Sequence, residues 1–250
     1  MAAYQDERPR AHDDVPLPPL ELRSGGEHFV EDADYARLAV RDVATLQQVG
    51  GLHAGSRVLD WGCGAGRLAV GLHLSGADYA TYLGVDVQAR YVDWTNANLA
   101  TDRMRFVRVD ARNERYNPDG TAGHDLPAER GTVDLFFAYS VFSHLAADDT
   151  ARSLDSLAEV LAPSGRAVVT AFVEPDVQAW EENPEGYGPL DWEGPLHCVR
   201  YDETFFTDLA AASGLRVLEV RYGGETDGQS LLVLAHSQPD AGATHDAELP

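Results

Sequence analysis

Three aspartates, Asp60, Asp86 and Asp110, each close a short apolar run, and the first leads into alternating glycines, Gly62-Cys63-Gly64-Ala65-Gly66-Arg67. Without Cβ atoms, Gly62, Gly64 and Gly66 permit a tight turn and let a ligand approach the backbone. Residues 57–59 read as a buried strand, whereas Leu68, Ala69 and Leu72 recur at helical spacing. The glycines therefore sit in a strand-to-helix turn, with the first N–H groups of the helix directed at a ligand. Asp60 would repel a pyrophosphate there but would pair with an ammonium. The G-x-G-x-G spacing is one residue tighter than the dinucleotide fingerprint, and the chain has no lysine, which excludes a Walker-type phosphate site.

The ligand so described carries a positive amine and no phosphate, and S-adenosyl-L-methionine meets that description. Asp86 ends the next strand, 82–87, about twenty residues beyond Gly66, where a carboxylate accepts both ribose hydroxyls. Residues 105–109 form a third strand ending at Asp110-Ala111, and 133–140 a fourth that runs into Val141-Phe142-Ser143-His144-Leu145. Open α/β sheets gather such carboxyl ends at one ligand-binding rim.

In order along the chain, VLDWGCGAGRL, YLGVDV, FVRVDA, VDLFFAYSVFSHL and LAEVLAPSGRAVVTAF resemble the class I S-adenosylmethionine-dependent methyltransferases. YLGVDV, ERYNPDG and SVFSHL together are similar to a bacterial small-molecule branch placed in sugar or secondary-metabolite pathways. The resemblance implies an α/β fold: a Rossmann-like, seven-stranded, mostly parallel sheet with an antiparallel last strand and helices on both faces. It implies cofactor contacts from Tyr35, Asp60, Gly62, Cys63, Gly64, Gly66, Arg67, Asp86, Val87, Asp110, Ala111 and Ser140, with Asp110 at the adenine amino group. In relatives an N-terminal segment closes over the methionine end, which makes Phe29, Tyr35 and Arg41 candidate lid residues.

The elements that must position these groups follow from periodicity and punctuation. Tyr35, Leu38, Ala39, Val43, Leu46 and Val49 define a helix ending near Gly50-Gly51. Tyr91, Val92, Trp94 and Ala97 define another, and Leu154, Leu157 and Leu161 a third that Pro163-Ser164-Gly165 ends before a strand over 166–172. A helix near 202–215 precedes two closing strands, 216–220 and 231–235. An antiparallel closing pair is what the methyltransferase resemblance implies and what dinucleotide-binding folds normally lack. Between 174 and 200, Trp180, Tyr187, Trp192, prolines, glycines and acids read as a long cover that recognises the acceptor. The expected organisation is a flexible arm (1–23), one methyltransferase domain (24–236, with 24–51 as lid) and a frayed tail (237–250).

A sulfonium methyl is already electrophilic, so the main task is to hold an acceptor in line and exclude water. An oxygen acceptor also needs its proton removed, which histidine does near neutrality. His144, just past the fourth strand, is the first candidate base and His197 the second; His12, His236 and His245 fall in terminal segments. No paired His or Cys spacing of the ligand type is present, so no metal is expected. The partner read from this is a small-molecule acceptor methylated at O or N; the alternative is a member of the fold that binds the same cofactor but catalyses a non-methylating reaction.

Net charge is −22 and all 19 residues of the Lys+Arg class are arginine. Nucleic acid is thereby disfavoured as a partner, since phosphate backbones require clustered cations. Isoleucine is absent too, a bias expected of a GC-rich genome. Two cysteines, Cys63 and Cys198, exclude a disulfide framework. With neither a signal-like leader nor a membrane-length apolar run, a cytoplasmic chain is expected, its homo-oligomeric state left open.

Overall fold

The computed structural model describes residues 10–12, 14–24 and 26–237. Residues 1–9 and 238–250, which hold the first part of the arm and nearly all of the tail read from the sequence together with His245, lie outside the described residues. Among the described residues no helix is long and apolar enough to cross a membrane. The chain divides into two compact units: Met1–Gly123 with Phe137–Tyr139, and His124–Phe136 with Ser140–Pro250.

In the first unit, β1 (Arg10–His12) and β2 (Val15–Leu17) form a small antiparallel pair. Leu17 and Leu22, from the stretch read as an arm, are buried. Helix α1 (Asp32–Thr45) begins with Asp32 and Asp34 where the helix dipole favours acids. It continues as a π-helical turn, Leu46–Gly50, and stops at Gly51, whose φ of 75° is the left-handed cap that glycine adopts without strain. The helix expected from the spacing of Tyr35 to Val49 is thus present. Strand β3 (Arg57–Trp61), helix α2 (Arg67–Ser75), strand β4 (Thr81–Asp86), helix α3 (Ala89–Asn98) and strand β5 (Met104–Arg108) follow.

The β3–β4 and β4–β5 pairings are parallel, with Asp60 opposite Gly84 and Gly84 opposite Phe106. Gly84 is required in mid-strand because a Cβ there would run into the Phe106 ring and come within 3.1 Å of Cys63 Sγ. Strand β6 (Val133–Ala138) gives Phe137 and Ala138 to this unit, where the order is β6-β3-β4-β5. The same register sets Trp61 against Val85 and Asp86 against Arg108, so the carboxyl ends of β3, β4 and β5 share one rim.

The second unit holds the earlier residues of β6, then α4 (Ala147–Val160), β7 (Leu161–Glu174), β8 (Trp180–Glu182), β9 (Val199–Asp202), α5 (Glu203–Ala212), β10 (Leu215–Arg221) and β11 (Ser230–His236). Its order is β10-β11-β7-β6, with β11 antiparallel to both neighbours, and β9 joins β7 in parallel through residues 172–174. The mostly parallel sheet with its antiparallel last strand is the fold class that the sequence implies.

One boundary differs from the sequence reading. Strand β7 starts directly after α4, so Pro163-Ser164-Gly165 lies inside extended chain instead of separating two elements. The reason is steric: a Cβ at Gly165 would sit 2.7 Å from the Val133 carbonyl, so the glycine serves close approach of backbone. The 174–200 segment likewise contains sheet, since β8 pairs with β9.

Helix α2 is buried at Leu68, Ala69, Val70, Gly71 and Leu72, and α1 crosses it at Gly71. A Cβ on Gly71 would overlap the Ala39 carbonyl, with its carbon only 2.6 Å away. Gly71→Ala is therefore expected to cost roughly 1–3 kcal/mol or more by overpacking, measured as a lower midpoint in urea unfolding.

Candidate active site

The glycine turn is built from backbone that only glycine tolerates. Gly62, Gly64 and Gly66 have φ of 71°, 52° and 79°. The N–H groups of Gly62 and Cys63 both donate to the Val85 carbonyl, at 2.7 and 3.0 Å, which ties the turn to the end of β4. A Cβ on Gly66 would meet Leu99 Cδ1 at 2.7 Å and Thr95 Cγ2 at 3.0 Å, so this glycine serves packing against α3. A Cβ on Gly64 would meet nothing within 4 Å, and its backbone faces open space.

Asp86 stands beside that open face. Its Oδ2 accepts from the Gly64 N–H at 2.9 Å and its Oδ1 from the Gln88 N–H at 2.8 Å. Burial raises its pKa while these hydrogen bonds lower it. A carboxylate has about four lone-pair positions, and with the Gly64, Gln88 and Val87 N–H groups bonded to it one remains to accept a hydroxyl. An uncovered backbone edge next to an ordered carboxylate fits an adenosine ribose, and Gly64 and Asp86 are the residues that would hold it. Val87, the next residue, presents its carbonyl to Arg108 Nε at 3.0 Å.

Asp60 is only 3% exposed and accepts from the Tyr82 hydroxyl at 2.6 Å, a partner the sequence reading did not name. Burial pushes its carboxyl up to about 7, against the lowering effects of the Tyr82 hydrogen bond and the Arg67 charge. Cys63 is buried beside it, its thiol pushed up by burial and then by Asp86 and Asp60. Arg67 Nε pairs with Asp42 at 2.8 Å, and its guanidinium lies 3.9 Å from the Tyr139 ring centre and 4.8 Å from that of Phe29. Tyr35 packs edge-on to Phe29 and under Arg23, its hydroxyl held well above the usual range by burial. Arg41 lies 3.8 Å from Asp42. Phe29, Tyr35 and Arg67 thus come together in one cluster, to which the structure adds Asp42, Tyr139 and Arg23.

Asp110 is exposed and braced by the excursion that follows it. The Thr121 hydroxyl donates to it at 2.9 Å, the Asn117 amide at 3.3 Å and the Thr121 N–H at 3.2 Å, which together lower its pKa. Ala111 bridges to Ala122 and receives the Asn117 amide on its carbonyl at 2.9 Å.

The second unit contains Ser140, His144 and His197. Ser140 has φ of 58°, a strained value for a residue with a Cβ and one concentrated at functional sites. Its N–H donates to Thr170 Oγ1 at 2.7 Å, and its hydroxyl lies 2.9 Å from Ser143 Oγ, 2.8 Å from Gln229 Nε2 and 3.5 Å from His144 Nε2. His144 Nδ1 is 2.9 Å from the Leu196 carbonyl. A carbonyl only accepts, so Nδ1 carries the proton and the neutral ring has its lone pair on Nε2. In His197 the polarity is reversed, because Nδ1 accepts from the Glu193 N–H at 2.9 Å. Leu196 is itself left-handed, with φ of 50°, and its N–H is fixed on Glu182 at 2.7 Å. His236 contacts the Leu161 carbonyl at 3.0 Å.

The strand order, the glycine turn and the carboxyl-edge acids define a Rossmann-like class I fold. Residues 58–165 match the family model described as a methyltransferase domain. Those residues are thus similar to methyltransferase domains, and the fold around them is the one that class I enzymes dependent on S-adenosyl-L-methionine share. The chain is 27% identical over 177 residues to the O-methyltransferase rstn1 of Aspergillus nomiae, covering 64% of this chain and 71% of that protein. Among solved structures it resembles the geranyl diphosphate C-methyltransferase of Streptomyces coelicolor A3(2), determined with Mg2+, geranyl diphosphate and S-adenosyl-L-homocysteine. That likeness has a TM-score of 0.57 and 15% identity, over 87% of this chain and 89% of the other. The [4+2]-cyclase SpnF gives a TM-score of 0.57 at 16% identity, over 79% of this chain and 80% of that one. These structural likenesses establish a shared fold.

Two outcomes test the cofactor side. Asp86→Ala is expected to weaken S-adenosylhomocysteine binding at least about tenfold by calorimetry, the loss of one charge-assisted hydrogen bond. Between about pH 4 and pH 7 the folded chain keeps on Asp60 a proton that the unfolded chain has released, so stability falls as pH rises through that window. The unfolding free energy of the wild type relative to Asp60→Asn should therefore drop by on the order of 2 kcal/mol from about pH 5 to about pH 8 in urea titrations.

Proposed function

We propose that the chain transfers a methyl group to an oxygen or nitrogen of a small metabolite, of sugar or natural-product type, with a hydroxyl as the better-fitting acceptor. The observation that carries this reading is the His144 ring. Its Nδ1–H is committed to the Leu196 carbonyl, which holds the ring in the tautomer whose Nε2 accepts a proton. His197 is the weaker candidate, since its Nδ1 lone pair is already used by Glu193 N–H. When bound, the cofactor supplies an electrophilic methyl on a sulfonium. The chain's own residues do the rest: Gly64 and Asp86 bind and orient, Tyr35, Phe29 and residues 24–51 exclude water, and His144 takes the acceptor proton at Nε2.

Residues 174–200 recognise the acceptor in this reading. They carry Glu174, Asp176, Glu181, Glu182, Glu185, Asp191 and Glu193 against the one guanidinium of Arg200. Arg200 is neutralised by Glu181 at 2.8 Å and Glu174 at 3.6 Å, which favours an uncharged or cationic acceptor over a phosphorylated one. The charge of −22 supports a small molecule over nucleic acid. The likeness to an O-methyltransferase supports oxygen.

The test is formation of S-adenosylhomocysteine during a screen of hydroxylated and aminated small molecules. His144→Gln should lower turnover by about 100-fold or more while leaving S-adenosylhomocysteine affinity within about twofold. Unchanged turnover at saturating acceptor would remove His144 from the chemistry. Tight cofactor binding with an altered but unmethylated product would replace methyl transfer by the non-methylating alternative.

A further inference from the structure

The base assigned above is held by a polar network that reaches a residue far along the chain. Gln229, immediately before β11, is 2% exposed, and Thr170 in β7 is fully buried. The polarity of the bonds between them is fixed step by step. The Ser140 N–H donates to Thr170 Oγ1, so the Thr170 hydroxyl must spend its proton elsewhere, and it does so on Gln229 Oε1 at 2.9 Å. That orientation of the amide turns Gln229 Nε2 toward the Ser140 hydroxyl oxygen at 2.8 Å as a donor. One lone pair of the Ser140 oxygen is thereby occupied. Its single proton is left for Ser143 Oγ or His144 Nε2, and its other lone pair faces the same two groups.

The consequence concerns both states of the ring. Opposite a neutral His144, the Ser140 hydroxyl can donate to Nε2 across 3.5 Å, and it turns that proton to Ser143 when an acceptor hydroxyl presents its own to Nε2. Opposite a protonated ring it turns its proton to Ser143 and accepts from Nε2–H. In both states the Gln229 amide keeps the oxygen in place. Were the amide reversed, its Oε1 would take the Ser140 proton, and Thr170 would have no acceptor for its own.

We propose that Gln229 is a positioning residue for His144, acting through the Ser140 hydroxyl. This rests on the reading of His144 as the base, but the contact itself exists without any acceptor. Among the described residues the 142–144 turn is packed by β7 and β9, by α5 through the Phe206 ring on Phe142, and by the Leu196 carbonyl on His144. Their charged or titratable groups near its ends are engaged elsewhere: Glu174 with Arg200, Tyr201 donating to the Leu145 carbonyl, and Asp202 capping α5 through the Phe205 N–H at 3.1 Å. They are common to every variant below.

The experiment follows the His144 ring in the full chain by 15N NMR of labelled histidine, its signals identified by their loss in His144→Gln. Gln229→Glu, which keeps size and shape, would accept from both Thr170 and Ser140 and add negative charge. It should raise the His144 titration midpoint by about one unit or more. Gln229→Met should shift the neutral Nε2 resonance in the direction that Ser140→Ala does, and the double variant should match Ser140→Ala alone. An unmoved midpoint in a folded Gln229→Glu chain overturns the proposal, as does a Gln229→Met shift that adds to that of Ser140→Ala. If Gln229→Met fails to fold, Gln229→Glu decides alone. Coupling in these spectra together with full turnover in His144→Gln would leave the network intact and remove only the role of His144 as base.

Discussion

The first unit depends on the hydrogen bond between the Gly64 N–H and Asp86. It joins the glycine turn to the carboxyl end of β4 across the step between two parallel strands. For the bond to form, the main chain must pass close to a carboxylate in a left-handed conformation, and a Cβ at Gly64 would occupy the space left open beside it. The same bond offsets part of the cost of burying Asp86, whose charge would otherwise be destabilised by desolvation.

A second acid so near adds a problem that the surrounding residues resolve in different ways. Asp60 is more deeply buried and is moderated by Tyr82 and by the positive charge of Arg67. Arg67 in turn is held between two aromatic faces and Asp42, so the guanidinium keeps its charge while largely buried. The coupling runs through residues from β3, α2, α1 and the end of β6, so neither Asp60 nor Arg67 can be altered without touching the packing of α1.

The second unit shows the same economy of backbone strain. Ser140, Asn183 and Leu196 are all left-handed residues with side chains, each fixed by hydrogen bonds that over-determine it. The Asn183 amide donates to the Gly194 carbonyl and accepts from the Cys198 N–H, which closes the 183–198 segment onto itself. Leu196, held in that closure, supplies the carbonyl that sets the His144 tautomer. The segment read from its composition as a cover is therefore also the second partner of the histidine.

What the amino-acid order determined by itself was local. Apolar period gave the helices around Tyr35–Val49 and Leu154–Leu161, alternating glycines gave the turn, and the acids ending 57–60, 82–86 and 105–110 gave the rim, because each depends only on neighbours a few residues away. Punctuation misled at Pro163-Ser164-Gly165, where a glycine was needed for contact with Val133 and not for a stop. Tertiary structure alone decided which partners meet: Tyr82 with Asp60, Asp42 and Tyr139 with Arg67, Gln229 with Ser140. Those pairs lie 22 to 89 residues apart. Strand register and chain crossing bring them together, and no local pattern of residue types encodes a hydrogen bond between groups so distant in the chain.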